Sequence, residues 1–74
     1  MLRVNIIDRA NDIKCECLLA DELSLRENLN LYKALNHCKN ELKYVYAKES
    51  NFALDFDVSL KEFNFIDGQI LIFY

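Results

Sequence analysis

Proline is absent from this 74-residue chain, and glycine occurs once, at Gly68. Those shortages exclude collagen-like, Pro-rich and linker-like classes. They also remove the material for a Gly-rich phosphate cradle, so neither a P-loop nor a dinucleotide-binding turn is expected. No Lys or Arg has a basic neighbour, and nine basic residues against twelve acidic ones leave a net charge of −3. Nucleic-acid binders draw affinity from a basic face that releases counterions, so no nucleic-acid partner is expected. An anionic membrane surface is disfavoured for the same reason. No apolar run approaches the roughly 18 residues of a membrane span, so direct membrane insertion is not expected. Polar residues break the opening stretch Met1-Leu2-Arg3-Val4-Asn5 before a signal-peptide core could form. The expected location is the cytoplasm.

What is present is apolar. With 53% hydrophobic and 28% charged residues, the chain is too hydrophobic for a disordered tail and should fold as one domain over residues 1–74. A chain this short buries only about 60% of its unfolded surface, so its stability is marginal. Three cysteines are an odd number, which argues against a disulfide framework. Cys15 and Cys17 form a Cys-x-Cys pair, and His37 and Cys38 are conceivable further metal ligands. Adjacent helical residues point about 100° apart, however, so His37 and Cys38 do not converge on one ion. The simpler reading is that Cys15 and Cys17 alternate with charge in a strand and act as small core hydrophobes, with no metal or cofactor.

Leu2-Arg3-Val4-Asn5-Ile6 alternates as a strand with one buried face. Asp8 to Asp12 is turn-like. Ile13, Cys15, Cys17 and Leu19 then resume the alternation opposite Lys14 and Glu16, which predicts a hairpin. Ser24-Leu25-Arg26-Glu27 is a capping box, opening a helix that the spacing carries to about Cys38. Leu25, Leu29, Leu31, Tyr32, Leu35 and Cys38 spread over its apolar side. Asn28 falls in that arc, so it must find a hydrogen-bond partner or sit at the edge of the arc. Leu42-Lys43-Tyr44-Val45-Tyr46 reads as a third strand, Phe52 to Phe56 as a short fourth, and Ser59 to Phe63 as one helical turn. Asp67-Gly68 is the strongest turn signal, and Gln69 to Tyr74 the last strand.

Hairpin, helix, strand, one-turn helix and final strand is the order of the ubiquitin-like β-grasp fold, an α+β class with a mixed sheet of four to five strands on one main helix. The segment Ser59-Leu60-Lys61-Glu62-Phe63-Asn64-Phe65-Ile66-Asp67-Gly68-Gln69-Ile70-Leu71-Ile72 resembles the corresponding turn-and-strand motif of ubiquitin-like domains. Within them the chain is most similar to the bacterial YukD/EsaB family of type VII secretion loci. The stretch from Leu19-Ala20-Asp21 through Leu25-Arg26 to Leu31 matches that family's strand–helix junction. The resemblance implies a non-enzymatic accessory or regulator of a type VII (WXG100) secretion system that binds a secretion component non-covalently. The alternative is a β-grasp interaction or assembly subunit of an unrelated bacterial system, including a homo-oligomer. Conjugated ubiquitin-like proteins and the sulfur carriers similar to them end in a flexible Gly-Gly tail. Here the last residue is Tyr74 and the glycine lies in a turn, so neither conjugation nor sulfur carriage is expected.

No catalytic set emerges. There is one histidine, expected on the solvated side of the helix, and Asp55 with Asp57 reads as a solvated pair without a pocket to raise either pKa. The expected site is therefore a surface. Leu71 and Phe73 should face the core against Leu25, Leu29, Tyr32 and Leu60, which turns Ile70, Ile72 and Tyr74 outward. Val45 is expected to join them in a sheet-face patch that binds a protein partner or a second copy of the chain.

Overall fold

The computed structural model describes all 74 residues. Two seven-residue strands, β1 (Leu2–Asp8) and β2 (Ile13–Leu19), form an antiparallel hairpin in unbroken register from Leu2 opposite Leu19 to Asp8 opposite Ile13. The carboxylate of Asp8 closes the loop between them by accepting from the amides of Ala10 and Asn11, each at 3.0 Å. Helix α1 (Leu25–Leu35) follows, then a short β3 (Val45–Ala47), a 3-10 turn at Leu60–Phe63, and β4 (Gln69–Phe73). β4 runs parallel to β1 and antiparallel to β3, giving the mixed order β2-β1-β4-β3. One helix covering one face of that sheet is the ubiquitin-like β-grasp arrangement.

The core lies between α1 and the inward rows of the strands. Val4, Ile6, Leu25, Val45, Leu60, Leu71 and Phe73 are almost wholly buried. The helix starts where the capping box places it. Ser24 Oγ accepts from the Glu27 amide, and the Glu27 carboxylate accepts from the Ser24 amide, both at 3.1 Å. It ends earlier than expected. Asn36 is the cap, His37 takes a left-handed φ of 51°, and the amides of His37 and Cys38 donate back to Ala34 and Lys33. That is a Schellman ending built on histidine where glycine is usual.

The buried stripe of α1 is Leu25, Asn28, Leu29 and Tyr32. Leu31 and Leu35 lie outside it and are exposed, so the apolar arc is narrower than the sequence spacing predicts. Asn28 is buried and saturated. Its Oδ1 accepts from the Ala20 amide at 2.8 Å, and its Nδ2 donates to the carbonyls of Ala20 and Ser24 at 3.0 Å. The side chain thereby pairs the backbone where the chain leaves β2 and enters the helix. Asn28→Ala is expected to cost about 2–3 kcal/mol, because the Ala20 amide loses its acceptor and the carbonyls of Ala20 and Ser24 each lose a donor, the Ala20 carbonyl keeping only the Leu23 amide at 3.3 Å. For a domain of this size, thermal unfolding followed by circular dichroism should show a fall of about 10–20 °C.

Two expected strands differ. The third begins at Val45 rather than Leu42. Phe52 to Phe56 forms no strand, because its backbone is used elsewhere. Leu54 donates one bond to Val45, and the carbonyls of Phe56 and Val58 accept from the first-turn amides of Arg26 and Leu25. Those amides have no partner within the helix, so the segment and the residues after it are shared between the β3 edge, met at one bond, and the helix start, and no ladder forms.

Candidate functional site

The face of the sheet turned away from α1 is built by strand alternation. Leu71 and Phe73 are fully buried, which turns Ile70, Ile72 and Tyr74 to the other side. Ile72 is the centre of a row: it lies opposite Ile7 in β1 and opposite Tyr46 in β3. One row along, Tyr44 and Tyr74 exchange backbone hydrogen bonds at 2.8 and 3.2 Å, which puts both rings on this face. The rings of Tyr46 and Tyr74 meet edge to face, with centroids 5.7 Å apart and planes at 84°. The Arg9 guanidinium sits 5.9 Å from the Tyr74 ring centroid.

Between this corner and the turn after β3 runs an open groove of about 690 Å³, lined by Tyr44, Tyr46, Ile72 and Tyr74 with Lys43 and Lys48 at its rim. Tyr44 is 54% and Tyr74 44% exposed. The chain is acidic overall, yet the charges beside this groove are basic. Such a face suits an apolar side chain flanked by acidic groups.

Of the four residues nominated from the sequence, the structure brings Ile72 and Tyr74 together in the groove and leaves Ile70 on the same face but outside it. Val45 is a correction. It is fully buried opposite Phe73 and belongs to the core. In a three-residue strand, an inward Val45 turns Tyr46 outward, so the tyrosines occupy the place assigned to the valine. Ile7 was also missed. The inward run Leu2, Val4, Ile6 carries the signal, since its continuation places Ile7 on the opposite side.

The remaining candidates are separated. Cys15 and Cys17 have their sulfurs 3.6 Å apart beside the core. Burial, aided by the neighbouring Cys15, pushes the Cys17 thiol up to about 11, so it stays protonated near neutral pH. Cys38 lies 4.0 Å from Asp8, with its pKa raised chiefly by burial, and His37 is exposed at the helix end. No three His, Cys, Asp or Glu side chains are placed to hold a metal ion. Asp55 accepts from the Asp57 amide at 2.9 Å, while Asp57 pairs with Arg26 at 2.9 Å. The hydrogen bond from Arg26 lowers the Asp57 pKa, opposite to the shift a general acid needs.

The fold and this face together define a ubiquitin-like β-grasp domain with an aromatic, basic-rimmed sheet surface. The chain matches no protein-family model and no curated protein sequence.

Proposed function

We propose that this chain is a non-enzymatic, cytoplasmic binding module that docks to a protein partner through Tyr44, Tyr46, Ile72 and Tyr74. The exposed tyrosine corner over an open groove carries the reading, because aromatic side chains in a half-open apolar setting are the usual anchors of an interface. The basic rim asks for acidic groups around the partner's apolar anchor. The resemblance to the YukD/EsaB family supplies the partner class, a component of a type VII secretion machine.

The test is isothermal titration of the chain against the cytoplasmic region of the membrane ATPase of a type VII locus. The double variant Ile72→Thr/Tyr74→Ala should weaken binding at least about 30-fold, the scale of a lost hot spot, while Asn30→Asp on the exposed helix side leaves it unchanged. Unchanged affinity in the double variant would remove the docking face. No binding by the unaltered chain would remove the secretion partner.

A further inference from the structure

The sheet has two outer edges, and the molecule closes only one. At β3, the carbonyls of Val45 and Ala47 accept from the amides of Leu54 and Ser50 at 2.8 and 2.9 Å, so the following loop occupies that edge. The β2 edge is different. Gly68 donates to the Arg3 carbonyl and Arg9 to the Phe73 carbonyl, which directs the odd-numbered backbone groups of β1 toward β4. The even-numbered ones then serve β2, and the register gives their partners as Ile13, Cys15, Cys17 and Leu19. The N–H and C=O groups of Lys14, Glu16 and Leu18 point away from the sheet. All three residues are exposed, and none of the loop, turn or cap hydrogen bonds reaches their backbone. The strand has no proline and its register no bulge, and the two charges it carries, Lys14 and Glu16, are of opposite sign.

Charge selects the occupant. When β2 pairs antiparallel with its own copy, side chains of the same face must stand opposite each other. Centred on Cys15, that pairing sets Lys14 against Glu16 of the second copy and Glu16 against Lys14 of the second copy, at hydrogen-bonded positions that are open in both. Centred on Glu16, it would set the two Glu16 carboxylates against each other, which is destabilising. We propose that β2 is a homodimerisation edge in the Cys15-centred register, joining two sheets into one. The two copies of β4 then lie about 24 Å apart at roughly 4.8 Å per strand, with both aromatic faces on the same side. A dimer of that form presents paired docking faces to a partner with repeated motifs. This inference does not depend on the identity of that partner.

Sedimentation equilibrium on the full chain tests it. Lys14→Glu and Glu16→Lys should each weaken self-association roughly tenfold, because each replaces both ion pairs by like charges. The double variant Lys14→Glu/Glu16→Lys restores complementarity with the signs exchanged and should return to within about threefold of the unaltered chain. Cysteine cross-linking reads the register. The two Cys15 residues occupy a non-hydrogen-bonded pair with Cα atoms about 4.5 Å apart, within disulfide range. A variant retaining only Cys15 (Cys17→Ala/Cys38→Ala) should therefore form a linked dimer with diamide, which takes up the two electrons and two protons of the paired thiols. A variant retaining only Cys17 (Cys15→Ala/Cys38→Ala) should not. A chain that stays monomeric at millimolar concentration, a dimer indifferent to the charge variants, or linkage through Cys17 would each overturn the proposal.

Discussion

Replacing Phe73 by alanine is expected to remove about 3–5 kcal/mol of stability, the largest loss available from one core side chain. Phe73 is fully buried, and its ring meets Tyr32 edge to face with centroids 5.1 Å apart. It sits where β4 passes between β1 and β3, so its side chain joins the two halves of the sheet to the helix. A domain of this length has on the order of 4–11 kcal/mol in total. Phe73→Ala therefore removes between about a quarter and all of that stability. Urea denaturation gives the value directly, and a loss below about 1.5 kcal/mol would mean that Phe73 is not the ring packed under α1. Phe73→Leu, which keeps most of the volume, should cost markedly less.

Asp8→Ala is expected to cost about 3 kcal/mol or more, for a different reason. The carboxylate is 1% exposed and has no cationic partner within ion-pair distance. Neutral donors hold it: the amides of Ala10 and Asn11, the Asn11 side-chain amide at 3.0 Å and the Tyr32 hydroxyl at 2.8 Å. Asn11 carries the network onward, exchanging hydrogen bonds with the backbone of Asn40 at 3.2 and 2.9 Å. One buried side chain thus ties the hairpin turn to the helix and to the loop beyond it. Alanine would leave the buried Tyr32 hydroxyl without its acceptor, a loss of about 1–3 kcal/mol, and would take the acceptor from the part-buried amides of Ala10 and Asn11 as well. Asp8→Asn keeps the shape and part of the acceptor capacity, and should cost about 1–2 kcal/mol less than Asp8→Ala. Equal and small losses in both variants would show that the turn is held by its backbone alone. Burial and the bond to Asp8 raise the Tyr32 pKa, so the hydroxyl remains a donor throughout the neutral range. Because Tyr32 touches both Phe73 and Asp8, the two losses should not add independently.

The parts of the fold that were legible in the sequence are those encoded by neighbours. Alternation in residues 2–8 and 13–19 carries the hairpin, Ser24 and Glu27 carry the helix start, and Asp67-Gly68 carries the last turn, where Gly68 has a φ of 91°. Asn28 was legible as a polar residue in need of partners, and those partners lie across the strand–helix junction. What failed to show depends on distant contacts. His37 ends the helix without glycine's signal because its neighbours complete the carbonyl bonds of a Schellman ending. Phe52 to Phe56 has strand-like composition, but the Phe56 carbonyl is claimed by the helix start and the Leu54 amide alone reaches β3. Val45 could face either way on composition alone. Its pairing with Phe73 decides that it faces inward, and the same register delivers Tyr46 to the opposite face, beside Ile72.

The central claim is that partners are held on the Tyr44, Tyr46, Ile72 and Tyr74 corner. The most direct measurement places a photo-crosslinking residue at Ile72 and, separately, at Asn30 on the exposed side of α1, in cells carrying a type VII locus. Cross-linked species are then identified by mass spectrometry. The account predicts a secretion component captured at Ile72 and absent at Asn30. Equal capture at the two positions, or capture at Ile72 of nothing but another copy of the chain, would contradict it.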